Sequence, residues 1–163
     1  MKADKRKVEK TNAMRLLDAA HLEYDVHIYE DDKAYSGVEV AHMLGQDPDR
    51  VFKTLVTQAK SGQYYVFMIP VALELDLKKA AATVGEKSIA MLKSKELLPL
   101  TGYVHGGCSP IGMKKVFPTV IDESVELFET IMCSGGRIGC QIELGFEDIS
   151  ALVPLKMADL THF

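Results

Sequence analysis

Apolar positions along this chain switch between a helical spacing and a two-residue alternation, and the switches predict a string of short elements. Ala13, Leu16, Leu17 and Ala20 fall at i, i+3, i+4 and i+7. That spacing is one face of an amphipathic helix, with Thr11 or Asn12 as its N-cap. Tyr24, Val26 and Ile28 then alternate with Asp25, His27 and Tyr29, which predicts a short strand with His27 and Tyr29 as a surface pair on its other face. Ser36 and Glu39 form an S-x-x-E capping box for a helix running to Leu44 and stopping at Gly45. Asp47-Pro48-Asp49 reads as a cap followed by a single turn. It leads into Val51-Phe52-Lys53-Thr54-Leu55-Val56, a strand to about Gln58 rich in β-branched and aromatic residues. Lys60-Ser61-Gly62-Gln63 turns this strand back into a second one, Tyr64 to Ile69.

Further along, Asp76 caps a helix with the stripe Leu77, Ala80, Ala81 and Val84, ended by Gly85. Ile89 to Leu92 reads as a short strand. Ser94 to Leu98 reads as a short helix ended before Pro99. Tyr103-Val104 is a strand candidate that enters a glycine-rich loop, Gly106-Gly107-Cys108-Ser109-Pro110-Ile111-Gly112. Thr119 to Asp122 and Thr130 to Cys133 are strand candidates separated by an acidic piece around residues 123–129. A second glycine-rich loop, Ser134-Gly135-Gly136-Arg137-Ile138-Gly139, is the right length for a hairpin turn into Cys140 to Leu144. Phe146, Ile149 and Leu152 predict a last helix with a short tail after it. Strands and helices mix without strict alternation. The expected class is therefore α+β: one domain over residues 1–163, with a mixed, mostly antiparallel or barrel-like sheet packed by helices.

Bulk composition narrows the function classes. The chain has 163 residues, 47% hydrophobic and 26% charged, enough for one domain with a real core. Its net charge of −4 announces no broad nucleic-acid surface. The densest basic cluster, Lys2, Lys5, Arg6, Lys7 and Lys10, reads as a solvated, frayed terminus over residues 1–10. No apolar run is long enough to cross a membrane, and no apolar segment follows the basic N-terminus as in a signal peptide. Three cysteines, Cys108, Cys133 and Cys140, with no Cys-x-x-Cys pair, argue against a disulfide framework or a zinc cage and for a reducing cytoplasm.

The chemistry in the residues is sparse. No Gly-x-Ser-x-Gly elbow, phosphate-binding Walker loop, His-Glu-x-x-His or kinase signature is present. The five histidines show no metal-ligand spacing, and no cofactor or metal is expected. His105 abuts the first glycine-rich loop and is either a strand-end surface residue or a site residue. Cys108, inside that loop, is either a candidate nucleophile or a small buried apolar residue. Lys53 interrupts an apolar strand; it either points to solvent or is a cation at the floor of a pocket for an anionic or carbonyl-bearing ligand. The two glycine-rich loops favour the pocket, because such loops can turn backbone N–H groups toward an oxyanion or carbonyl. Each is equally readable as a tight connection that needs positive φ.

Taken together in order and spacing, these segments resemble the YbaK/EbsC family of aminoacyl-tRNA deacylases, relatives of the editing domain inserted in bacterial prolyl-tRNA synthetases. The residues carrying the resemblance are Val51-Phe52-Lys53-Thr54-Leu55, Leu75-Asp76-Leu77-Lys78-Lys79, Thr101-Gly102-Tyr103, the loop 106–112 with Lys114-Lys115, Pro118 to Asp122, and Ser134-Gly135-Gly136 through Gly139 to Leu144. The resemblance implies hydrolysis of a mischarged tRNA, foremost cysteinyl-tRNA(Pro), a synthetase product that arises because cysteine is close to proline in size. It implies that Lys53 is the essential residue and anchors the tRNA 3′ end, with Thr54 supporting it. It implies that Gly106, Gly107, Ser109, Pro110 and Gly112 line the aminoacyl pocket, that Ser134, Gly135, Gly136 and Gln141 line the opposite wall, and that Tyr29 sits nearby. In the family account the substrate cysteine's own thiol attacks its carbonyl, so no protein nucleophile or base is needed. Aminoacyl-tRNA and, transiently, prolyl-tRNA synthetase are the implied partners.

The chain departs from the family pattern at Gln141, where an aspartate is common, and at Cys108, Cys133 and Cys140, where aliphatic residues are usual. The cysteine at 108 is therefore a minor candidate for a nucleophile. Alternatives are a deacylase of another mischarged tRNA such as Ala-tRNA(Pro), or a non-catalytic module that binds aminoacyl-tRNA ends or a synthetase. A role outside the cytoplasm is disfavoured by the missing export signal.

Overall fold

Local start signals in the sequence are used as written. The computed structural model describes residues 2–30 and 35–162. Helix α1, Asn12–Ala19, opens where the Thr11 hydroxyl accepts the Met14 N–H at 3.2 Å. Helix α2, Gly37–Met43, has both arms of its capping box: Ser36 N–H donates to Glu39 at 2.9 Å and Glu39 N–H to the Ser36 hydroxyl at 3.2 Å. Helix α3, Leu77–Val84, is capped by the Asp76 carboxylate, which accepts the N–H groups of Lys78 and Lys79, and ends at a left-handed Gly85. Each side-chain cap satisfies donors that a helix start leaves orphaned, typically worth about 1 kcal/mol.

Two helices differ from the expected pattern. On α1 the buried residues are Ala13, Met14 and Leu17, while Leu16 is exposed. The face is rotated because Met14, unbranched and adaptable, reaches the sheet beside Gly135. Helix α4, Ser94–Thr101, runs through Pro99 and stops at Gly102. In so short a helix the proline forfeits a single intrahelical bond, and the left-handed Gly102 supplies the real stop. The last helix, α5, is Phe146–Ser150.

Nine strands form two sheets among the described residues. The first sheet orders β1 (Lys2–Ala3), β2 (Asp25–Ile28), β8 (Cys140–Leu144) and β7 (Ile131–Ser134), all antiparallel. The second orders β5 (Ile89–Met91), β3 (Phe52–Ala59), β4 (Tyr64–Pro70), β6 (Thr119–Asp122) and β9 (Leu155–Ala158). Its pairs are antiparallel except β4–β6 and β6–β9. The β3–β4 hairpin, the 3-10 turn Pro48–Arg50 and the β7–β8 hairpin agree with the sequence pattern. A parallel bridge between Val51 and Met132, both buried, joins the sheets, and Ala41 of α2 packs into that seam. The class is α+β, as expected.

Other expectations are corrected. Tyr103-Val104 is not a strand: the Tyr103 hydroxyl instead donates to the Ile111 carbonyl at 2.6 Å and ties the first glycine-rich loop. The tail is not plain coil, because β9 adds in parallel to β6. The basic N-terminus is not frayed over residues 2–10. Lys2–Ala3 pair with β2, and the ammonium groups of Lys5 and Lys10 lie over the Tyr24 ring at 4.5 and 5.6 Å. His27 is not a surface residue; it is buried against Glu143.

Apolar burial follows the two sheets. Met14, Leu17, Val26, Ile131, Ile142 and Ile149 fill the space between the first sheet, α1 and α5. Phe67, Ile69, Ala80 and Val120 pack α3 on the second. Val56, Val66, Leu97, Tyr103, Cys108 and Phe117 form a third cluster beneath α4 and the first glycine-rich loop. The first residues of β3 therefore lie between the seam and this third cluster.

Candidate functional site

A cavity of about 440 Å³ opens beside the seam. β3 contributes Lys53 and Thr54, the end of β7 contributes Ser134, and β8 contributes Gln141, which faces Ser134 across the β7–β8 pair. Gly106 enters from the first glycine-rich loop and Tyr29 from the end of β2. These six expected site residues share one cavity. On the side of α4 the wall is mostly apolar, made by Val56, Leu92, Leu97 and Cys108, with Ser94 at the start of α4 as a polar member.

The other six expected residues do not line the cavity; they build its frame. A Cβ placed on Gly107 would stand 2.9 Å from the backbone of Arg137 and Ile138, so the two glycine-rich loops touch there. Ser109 is fully buried and its hydroxyl accepts the Ile111 N–H at 3.2 Å; Pro110 is buried beside it. The Gly112 carbonyl accepts from Asn12 at 2.7 Å, which fixes the loop to the start of α1. The Gly135 carbonyl accepts from the Thr11 hydroxyl, and the Gly136 N–H donates to the Ser134 hydroxyl at 3.2 Å. That last bond orients Ser134 at the cavity wall.

The electrostatics of the cavity centre on Lys53. Burial pushes its ammonium below the ordinary lysine range, and the Glu74 carboxylate works weakly in the other direction. No hydrogen bond or ion pair to a described residue holds it. Two further polar atoms of the cavity, Thr54 Oγ1 and Gln141 Oε1, are buried without a hydrogen-bond partner. Buried polar groups are nearly always paired, and an orphan costs about 1–3 kcal/mol. A partly desolvated cation and two unpaired polar atoms in one cavity are a surface shaped for a polar ligand.

Cys108 lines the cavity, but burial pushes its thiol up to about 12, so it stays protonated at neutral pH. The thiol is a poor nucleophile in that state. His105 lines the cavity from an exposed position. Among the described residues no group of His, Cys, Asp and Glu is arranged to hold a metal ion.

Behind Gln141, on the same face of β8, Glu143 anchors a polar cluster. Its carboxylate lies 2.8 Å from His27 Nε2, accepts from Thr130 at 2.8 Å and meets the Arg50 guanidinium at 3.1 Å. Burial alone would raise its pKa, but the bonds from Thr130 and His27 and the Arg50 charge outweigh burial and hold it below 4.5.

Several lining residues were not readable beforehand. Tyr35 packs edge-on against Tyr29, with ring centroids 6.3 Å apart. Its only signal is its place directly before the Ser36 capping box. Leu92 and Leu97 carry no local signal, since tertiary folding alone brings β5 and α4 to the cavity.

Comparison with known proteins places the chain. Residues 31–152 match the aminoacyl-tRNA editing domain. EbsC of Enterococcus faecalis, named as a candidate Cys-tRNA(Pro)/Cys-tRNA(Cys) deacylase, is 42% identical over 160 residues, covering 98% of both chains. The proline–tRNA ligase of Shouchella clausii is 31% identical over 101 residues, which is 62% of this chain and 18% of the ligase. A solved structure of a candidate trans-editing enzyme for prolyl-tRNA synthetase superposes with a TM-score of 0.81 at 24% identity, over 96% of this chain and all of that one, a likeness of fold.

Proposed function

This chain belongs to the aminoacyl-tRNA editing domain family, and on that premise we propose that it is a free-standing deacylase that removes cysteine from Cys-tRNA(Pro), and from Cys-tRNA(Cys). The observation that carries the reading is the unpaired, partly desolvated ammonium of Lys53, which shares a cavity with Gly106 and Ser134. Such a cation attracts the negatively charged 3′ end of a charged tRNA, whose ester then falls within the cavity. Thr54 and Gln141 supply unpaired polar atoms for the ester and the amino group of the cargo.

No protein nucleophile is required. The substrate thiol attacks its own carbonyl; a C–S bond forms, the C–O bond to the terminal ribose breaks, and the thiol proton ends on the ribose oxygen. Water then opens the cyclic thioester. The protein's contribution is to hold the ester near attack geometry and to stabilise charge developing on the carbonyl oxygen. A protonated Cys108 is in keeping with this division of labour.

The editing reaction complements prolyl-tRNA synthetase, whose pocket cannot reject cysteine by size alone. The similarity to part of a proline–tRNA ligase supports a transient partnership with that enzyme in the cytoplasm, where charged tRNA is made. The test is deacylation of Cys-tRNA(Pro), Cys-tRNA(Cys), Ala-tRNA(Pro) and Ser-tRNA by wild type and Lys53→Ala. Turnover of the cysteinyl esters alone, lost in the variant, is the expected result. Equal turnover of seryl or alanyl esters overturns self-attack by the thiol, and binding without turnover of any ester makes the chain a docking module.

A further inference from the structure

A second groove, of about 600 Å³, runs along β5 and shares the lining residues Met91 and Leu92 with the cavity. Lys60 and Lys93 line this groove, and both are exposed. Lys87 and Lys95, one residue or a few away along the same stretch, are exposed too. The opposing charge in the groove is Glu96; the nearby Glu86 is engaged by the hydroxyls of Ser61 and Tyr65. β5 is the outer strand of its sheet and pairs only with β3, so its far edge is open among the described residues. Ala90 and Met91 give the groove an exposed, apolar surface between the lysines.

We propose that this groove is the track for the single-stranded nucleotides that precede the 3′-terminal residue of the tRNA, with Lys60 and Lys93 pairing their phosphates. The inference rests on the deacylase reading and extends it to the part of the substrate that lies outside the cavity. A chain whose last nucleotide sits at Lys53 must leave the cavity by its mouth. The groove borders the cavity, sharing Met91 and Leu92 with it, and its lining lysines outnumber its one carboxylate on a protein whose total charge is −4. That local reversal of sign fits a polyanion. The apolar strip offers bases a surface without reading their identity, which suits a 3′ segment shared by every tRNA.

The experiment uses the full chain and a fluorescein-labelled RNA hairpin with an unpaired 3′ tail, read by anisotropy. Wild type is compared with K60E/K93E and with K7E/K78E, which makes the same charge change at exposed lysines outside the groove. The groove variant is expected to bind at least tenfold more weakly than wild type and the control within twofold. The slope of log affinity against log salt should fall by roughly 1.4 in the groove variant, about 0.7 for each lost phosphate contact on a single strand. Equal losses in the two variants, no loss in either, or no RNA binding by wild type overturn the proposal. Hydrolysis of Cys-tRNA(Pro) is followed in parallel. Turnover with a groove variant of unchanged KM sinks the groove and leaves the deacylase standing. RNA binding that depends on the groove, without turnover by wild type, does the reverse.

Discussion

Gly107 and Arg137 lie so close that a single added carbon would not fit between them: a Cβ on Gly107 would stand 2.9 Å from the Arg137 Cα. The two glycine-rich loops, thirty residues apart in sequence, are locked at this contact. Because the obstacle is backbone rather than the end of a flexible side chain, neither loop yields easily. Gly107→Ala is expected to cost about 1–3 kcal/mol. In a chain of this size that lowers the thermal midpoint by roughly 2–4 °C per kcal/mol, readable by circular dichroism. An unchanged midpoint would mean the loops are not held together here.

A change at Lys53 is expected to separate function from stability. Its ammonium is partly desolvated and has no hydrogen bond or ion pair to a described residue, and burial outweighs the attraction of Glu74, so the charge is a net cost to the fold. Lys53→Met should therefore lower kcat/KM on Cys-tRNA(Pro) by about 10²–10³-fold, the size of a lost transition-state donor, while the thermal midpoint holds or rises. A midpoint that falls along with activity would assign the lysine a structural role instead.

Gln141 and Thr54 make the same point with neutral groups. Each has a buried oxygen without a partner, so Gln141→Leu and Thr54→Val remove an unsatisfied atom rather than a bond. Unfolding midpoints in urea should be unchanged or higher. Loss of one hydrogen bond to substrate should raise KM by about 3–10-fold. A marked fall in stability with KM unchanged would count against both as substrate contacts.

Glu143 gives a pH signature. Its folded pKa is below the ordinary 4.5, so its contribution to stability is present above 4.5 and is lost as pH falls through the folded value. Glu143→Gln should lower stability at pH 7 by about 1–3 kcal/mol, since charged hydrogen bonds to His27, Thr130 and Arg50 are weakened. The gap between variant and wild type should close as the pH is taken below 4.5. Urea unfolding at a series of pH values measures it, and a gap that stays constant would contradict the assignment.

What the sequence made legible was local. Thr11, Ser36 and Asp76 announce their helices because a cap bonds to its own next turn. Lys53 stands out as a charge in an apolar strand, but that stretch alone reads equally as a solvent-facing lysine, and only the two distant glycine-rich loops point it toward a pocket. What stayed hidden is set by partners far along the chain. The glycines 107, 112 and 135 look like flexible loop residues, yet close neighbours from other segments fix them. β9 has four residues of weak alternation and becomes a strand only because β6 is there to pair with it. His27 reads as exposed in the sequence because its partner, Glu143, lies more than a hundred residues away.

All three cysteines are buried, Cys133 and Cys140 completely, and burial drives the thiols at 108 and 133 up to about 12. The chain thus offers no reactive sulfur to anything that enters it. On the self-attack mechanism proposed above, an accessible thiolate in the wall would capture the acyl group of the strained thioester and poison the protein. Keeping Cys108 protonated would then spare the wall from that side reaction and let a sulfur atom line the chamber as inert padding.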